Sequence, residues 1–340
     1  MLNCLYRLVA PRTFMPTELE LELGGADVVV RPTHLSICNA DMRYYLGSRP
    51  AAVLAKKLPM ALIHEGIGRV LADPTGAFRP GDRVVMLPNA PVETDPVIGE
   101  NYLRSSRFCG SGFDGFMQEY VRLPHSRVVA LPDDVTDEVA AFTEMTSVAM
   151  HAWRRFDGIA HERRETIGVW GDGNLGFLVS LVLRMSLPEA RIVVVGLSHL
   201  KLDEFTFADE TRRVDEVEGL AVDHAFECCG GSGSTSAIQQ IIDCIRPEGT
   251  ISLLGVSENP VPIDTRMVLE KGLRVFGSSR SAREDFEAVA SMYAEHQEAV
   301  SYLSALVGSV HEVRTIKDAA KAFEYDTVKP MGKTVMRWAL

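Results

Sequence analysis

The stretch from Thr166 to Leu183, TIGVWGDGNLGFLVSLVL, leaves this chain few folds to choose from. Ile167 to Trp170 is a short apolar run closed by a turn signal, which predicts a buried parallel strand. Gly171, Gly173 and Gly176 then form G-x-G-x-x-G, with Asn174 and Leu175 inside the turn. Phe177, Leu178, Leu181, Val182 and Leu183 follow at helical spacing. In a strand–turn–helix context each glycine has a task. The first permits the tight turn, the second lets a pyrophosphate approach the backbone, and the third lets the helix pack on its strand. The helix N-terminus presents N–H groups and positive partial charge to that pyrophosphate. The stretch therefore predicts a dinucleotide site in an α/β unit.

The residues that follow bear on which dinucleotide. Arg191 to Val195 reads as the second strand, and it ends at Gly196 rather than at the Asp or Glu that would accept from a ribose 2′-hydroxyl. A small residue makes room for a 2′-phosphate, and Ser198, His199 and Lys201 can donate to it, so the expectation is NADP(H). The competing reading has Lys201 capping a surface helix and Asp203 or Glu204 on the ribose. The charged segment after Leu202 leaves room for only an abbreviated helix and strand. Strands are expected at Val222–Cys228, Thr250–Gly255 and Leu273–Gly277, with an amphipathic helix over Ser236–Ile245. Val256 and Ser257, at the end of a strand, are candidates to line the nicotinamide.

Residues 1–145 read differently. Val28–Arg31, Gly68–Leu71, Arg83–Leu87 and Phe116–Leu123 are short β-type runs separated by turns such as Arg79-Pro80-Gly81-Asp82, which suggests a barrel-like β domain. Cys38, His64, Glu65 and Glu144 lie in it. One thiolate, one imidazole and carboxylates suit a catalytic zinc that keeps a position open for substrate. They are far apart in sequence, and taken singly each has a plainer reading. Cys38 is then a buried thiol, His64 a hydrogen-bonded core residue and Glu144 a solvated helix residue.

Bulk properties narrow the classes further. A chain of 340 residues suggests two domains. A net charge of −11 argues against nucleic-acid or anionic-membrane binding, though a local basic pocket can sit within it. The N-terminal MLNCLYRLVAPRTF carries arginines and a proline where a signal peptide needs an apolar core, and no apolar run reaches membrane-spanning length. A cytoplasmic protein is expected. In a reducing compartment the six scattered cysteines are thiols or metal ligands rather than disulfides.

Cys38 with Asp41 three residues on, H-E-G-x-G at His64–Gly68, P-G-D-R-V at Pro80–Val84, Glu144 and then the dinucleotide turn, in this order, resemble the zinc-dependent medium-chain dehydrogenases/reductases. The resemblance implies an α/β chain of two domains. A GroES-like β-barrel catalytic domain would take residues 1–147 and 280–340, the C-terminus returning to complete it. A Rossmann domain with a doubly wound parallel sheet would take residues 148–279. It also implies zinc at Cys38, His64 and Glu144, with Glu65 ligating directly or in exchange with water. Only Cys109 lies between Pro88 and Gly115, where many members carry four cysteines, so one catalytic zinc and no structural zinc are expected. Ala40 stands where members usually carry the Ser or Thr of a proton relay, which leaves Tyr44, Tyr45 or zinc-bound water.

The segments SICNADMRYYLGSR, LPMALIHEGIG, DHAFECCGG, LLGVSENPV and EKGLRVFGSSRS are similar to those of the ribulose-5-phosphate reductases. Those enzymes make ribitol 5-phosphate for CDP-ribitol, a precursor of bacterial teichoic acids and capsules. That likeness implies NADPH-dependent reduction of D-ribulose 5-phosphate. It also implies association with the ribitol-5-phosphate cytidylyltransferase, and the wider family implies a homodimer. Arg43, Arg49, Lys56 and Lys57, with Arg280 and Arg283 after the last strand, are candidates for the substrate phosphate, of which one or two are expected to touch it. Two rivals are an NAD-linked zinc polyol dehydrogenase of sorbitol or xylitol type, and a zinc-free NADPH-binding regulator, against which the Cys-His-Glu set argues.

Overall fold

Six parallel strands carry the second half of the chain: β1 (Thr166–Trp170), β2 (Arg191–Gly196), β3 (Glu210–Arg213), β4 (His224–Glu227), β5 (Thr250–Leu253) and β6 (Arg274–Gly277). Their order in the sheet is β3-β2-β1-β4-β5-β6, the doubly wound arrangement in which the order reverses beside β1. β1 is buried along its whole length because it lies at the sheet's centre. The helix Asn174–Ser186 follows it directly. The abbreviated helix His199–Leu202 and the strand β3 are as short as the charged sequence there allows.

The computed structural model describes residues 1–21, 25–329 and 331–340. They divide into two compact units, one of residues 145–280 and the other of residues 1–144 with 281–340. The second unit holds a three-stranded sheet, Thr13–Glu20, Leu2–Ala10 and Met60–Ala61. Its larger sheet runs Val128–Ala130, Arg83–Met86, Glu65–Ala72, Asp27–Ser36, Lys333–Trp338 and Val307–Val313, with Val121–Pro124 also on Asp27–Ser36. The last strand pairs antiparallel with Asp27–Ser36, placing Val335 opposite Ser36 and Met336 opposite Leu35. The C-terminal run thus completes a sheet begun by residue 27. Val28, Val30, Leu35, Leu62, Met86, Phe116 and Met336 are part of one buried core in this unit.

The glycines of H-E-G-x-G answer to packing here. A Cβ on Gly68 would lie 2.4 Å from the Arg31 carbonyl oxygen, because Glu65–Ala72 crosses Asp27–Ser36 closely where the register shifts. Two readings change. The run Phe116–Leu123 is strand only over Val121–Pro124. Phe116 and Met117 instead donate their N–H groups to Ile63 and Leu62, and the Met117 carbonyl accepts from Tyr6, so tertiary partners replace a ladder. The N-terminal residues, which gave no strand signal, form the hairpin Leu2–Ala10 and Thr13–Glu20.

His224 opens β4 in the parallel-sheet unit. Its Nδ1 accepts from the Thr250 N–H at 3.1 Å, and its ring lies against His161 and Phe156. Burial, reinforced by His161, pushes its pKa down to about 4. The unfolded chain therefore binds this proton near pH 6.5 while the folded chain refuses it until about pH 4. Stability from this group is full above pH 6.5 and falls as the pH drops to 4. The loss is on the order of 3 kcal/mol, since the ring is fully buried. Chemical unfolding of the wild type and His224→Gln across that range should show a steeper acid loss in the wild type; parallel profiles would refute the assignment.

Candidate functional site

Cys38 is the N-cap of the short helix Asn39–Tyr45, and His64 and Glu65 stand where the chain enters the strand Glu65–Ala72. The fold brings one ligand atom from each of these three within 4.8 Å of the others. Burial, followed by the charge of Glu65, raises the Cys38 thiol, with His64 opposing. Burial alone would lower His64, but Asp41 and Cys38 outweigh it and hold the imidazole well above its usual value.

Asp41 sets this geometry. Its carboxylate is fully buried, accepts from the Cys38 N–H at 3.1 Å and the Ile63 N–H at 3.0 Å, and lies 3.5 Å from His64 Nδ1. A carboxylate on Nδ1 leaves Nε2 to face a metal, a common second-layer arrangement around zinc. Ile63 adopts φ +71°, a left-handed conformation that a β-branched residue avoids at a cost of roughly 1–3 kcal/mol. The Asp41 bond to its N–H, and the Phe116 N–H on its carbonyl at 2.7 Å, hold it there and so aim His64.

Lys333, which opens the last strand, is the partner that sequence reading missed. Its ammonium is buried, donates to Glu65 Oε1 at 2.9 Å and lies 2.8 Å from Oε2. Oε2 is itself buried with no hydrogen-bond partner among the described residues. The sequence signal was a lysine beginning an apolar strand. A thiol, an imidazole and a carboxylate, grouped this closely, fit a divalent zinc. Glu144 is not one of the three grouped residues. Its carboxyl is buried nearby and is pushed up to about 7, by burial first, with His64 and Lys333 opposing and Glu65 and Asp41 adding to it.

The relay candidates part company. The Tyr45 phenol donates to Glu324 at 2.7 Å, a bond that keeps its proton in place. Tyr44 instead accepts from Lys57 at 2.9 Å, beneath the Arg49 guanidinium. Of the other cations, Lys56 is exposed, and Arg283 is committed to Glu287 and to the carbonyls of His125 and Val128. Arg280 ends the parallel-sheet unit, with φ +59°.

Within that unit, the residues read as cofactor contacts lie after the carboxyl ends of β1, β2 and β5. Gly171 has φ +134°, and a Cβ on Gly176 would lie 1.9 Å from the Gly171 carbonyl oxygen, so neither position accepts a side chain. Gly173 caps the helix that Asn174 and Leu175 begin. Ser198 precedes the short helix bearing His199 and Lys201. The room beside Gly196 is taken by a side chain, since a Cβ there would lie 2.6 Å from Asp172 Cβ. Asp172 lies in the turn after β1, and its Oδ2 accepts from the N–H groups of Leu197 and Ser198, each at 2.8 Å. An acid therefore does stand near the end of β2, with its charge engaged by backbone. Arg213 donates to the Leu197 carbonyl at 2.9 Å and adds a cation there that the sequence reading overlooked. Val256 is exposed, and Ser257 donates to the Gly231 carbonyl at 3.0 Å. Buried Glu227 ties these loops together, accepting from the N–H groups of Cys229, Gly230 and Gly255.

Residues 24–133 match the alcohol dehydrogenase GroES-like domain family, and residues 203–295 match the zinc-binding dehydrogenase family. The chain is 53% identical over 341 residues to ribulose-5-phosphate reductase of Bacillus spizizenii, with both chains fully covered. It is 50% identical to ribulose-5-phosphate reductase 1 of Staphylococcus aureus, again covering both chains fully. The crystal structure of S. aureus TarJ in complex with NADPH matches it with a TM-score of 0.89 at 45% identity, covering 100% of each chain.

If Asp41 orients His64, Asp41→Asn should weaken zinc affinity by about 10–100-fold. Competition with a chromophoric chelator measures this. Affinity equal to the wild type would show that the carboxylate has no such role.

Proposed function

The chain belongs to the zinc-binding alcohol dehydrogenase family with a GroES-like domain, and from that premise we propose that it reduces D-ribulose 5-phosphate to D-ribitol 5-phosphate with NADPH. The observation that carries the reading is the close grouping of Cys38, His64 and Glu65 in a chain 53% identical, end to end, to a ribulose-5-phosphate reductase. An NADPH-bound relative of the same fold at 45% identity supports the choice of cofactor.

In this reading Cys38, His64 and Glu65 hold one catalytic zinc, and Glu144 is the candidate for a further ligand. When bound, zinc and NADPH supply Lewis-acid polarisation of the ketone and a hydride. The protein's own residues prepare the ground. Asp41 fixes the His64 ring, and Lys333 neutralises and positions Glu65. The turn Gly171–Gly176 admits the pyrophosphate at a helix N-terminus, and Ser198, His199, Lys201 and Arg213 offer donors for the 2′-phosphate. Val256 and Ser257 line the nicotinamide. The substrate phosphate is met by cations near Cys38, among Arg43, Arg49 and Lys57, with Arg280 the remaining candidate.

The same reading makes the protein a cytoplasmic homodimer whose product enters CDP-ribitol synthesis for teichoic acid or capsule, beside the cytidylyltransferase that consumes it. No helix among the described residues is long and apolar enough to cross a membrane.

Purified protein should oxidise NADPH on addition of ribulose 5-phosphate, and should lose that activity to a chelator and regain it with zinc. Cys38→Ser should bind less zinc and lose at least about 100-fold in kcat/KM, as expected when a metal ligand of the reacting centre is changed. A fully metal-loaded wild type that leaves NADPH unoxidised would end the substrate assignment.

A further inference from the structure

We propose that Lys57, Arg49, Tyr44 and Ser111 form a preassembled subsite for the phosphate of the substrate, and that this subsite selects phosphorylated ketoses over free ones. The inference rests on the reductase reading above and deepens it.

Many cations of this acidic chain are met by acids. Arg7 pairs with Asp114, Arg83 with Asp137, Arg122 with Asp27, Arg127 with Glu100 and Lys333 with Glu65. Lys57 and Arg49 are different. Neither has a carboxylate within ion-pair distance among the described residues, yet both converge on one phenol. The Lys57 ammonium donates to Tyr44 Oη at 2.9 Å and to Ser111 Oγ at 2.8 Å. An ammonium has three donors, so one remains. The Arg49 guanidinium lies over the Tyr44 ring, 5.0 Å from its centroid, and its buried Nε has no hydrogen-bond partner among the described residues. Arg43 stands near enough for its guanidinium to be lowered, by burial first and by the charge of Arg49 second.

Two cations gathered without an acid repel each other until an anion joins them. The Tyr44 phenol feels the same positive field: burial raises it, but Lys57, Ser111 and Arg49 together bring it below its usual value. Hydroxyl donors beside a lysine point charge and an arginine fork are what a tetrahedral oxyanion needs. Lys57 and Arg49 are partly exposed, so the place is open to a ligand.

The position suits a sugar phosphate. Tyr44 lies on the helix that Cys38 caps, six residues on, or about 9 Å of helical rise. Ser111 follows by three residues Phe108, whose ring centroid is 5.4 Å from that of His64. Both segments thus run from the metal ligands to Lys57, over a span that a short carbon chain with ketone near one end and phosphate at the other can cover.

The test compares kcat/KM for ribulose 5-phosphate with kcat/KM for ribulose, both with NADPH and the zinc-loaded enzyme. Lys57→Met and Arg49→Gln should each reduce the preference for the phosphorylated ketose about 10–100-fold, mostly through KM, and Lys57→Arg should retain most of it. A ratio unchanged in both Lys57→Met and Arg49→Gln overturns the subsite. Calorimetric titration of the same proteins with inorganic phosphate gives a second reading that is independent of turnover and applies to any variant whose melting shows it folded. Wild type binding phosphate more tightly than either variant supports the subsite; equal affinity or no binding in the wild type overturns it. Should the wild type reduce neither ketose, the reductase reading fails and the titration alone decides whether the anion site exists.

Discussion

The buried carboxylate of Asp41 is the constraint on which the metal-type site depends. It joins the N–H of Cys38, the N–H of Ile63 and the face of His64, three groups that the sequence keeps 26 positions apart or less and that no local rule would gather. Its bond to the Ile63 N–H, with the Phe116 N–H on the Ile63 carbonyl, also keeps Ile63 in a conformation that an isolated isoleucine would abandon. Without that anchor His64 would have no reason to face Cys38. Lys333 performs the complementary task from the far end of the chain, holding Glu65 in place and offsetting its charge where water cannot.

The parallel-sheet unit uses the same device twice. Asp172 clamps the loop after β2 through the N–H groups of Leu197 and Ser198. Glu227 clamps the loops after β4 and β5 through Cys229, Gly230 and Gly255. Loops at the carboxyl ends of a sheet have backbone donors with no strand to pair with, and a buried carboxylate satisfies several at once. Each such clamp fixes where the loop backbone beyond a strand's carboxyl end lies. The acidic excess of the chain is thus partly structural, and so says little about the sign of charge a ligand must have.

Charge arrangement separates building from binding elsewhere too. Arg127 and Arg83 are held by acids and by carbonyls, and they stabilise the β-rich unit. Arg49 and Lys57 lean on a phenol and a serine instead. A net charge of −11 averages over both kinds and conceals the second.

Local chemistry in the sequence was enough to determine the parallel-sheet unit. A strand, a glycine turn and a helix are encoded within residues 166–186, because positive φ and close backbone approach are short-range steric demands that Gly171 and Gly176 alone can meet. The order of Cys38, H-E-G-x-G and Glu144 likewise pointed to the metal chemistry and the family. Tertiary structure alone decided which groups meet. Lys333 reaches Glu65 across 268 positions, Ser111 reaches Lys57 across 54, and Asp172 takes the space beside Gly196 that the sequence seemed to leave for a phosphate. Such pairings depend on how strands from distant parts of the chain register against one another, and hydrogen-bond and charge partners carry no mark in the sequence of the distance over which they will be joined.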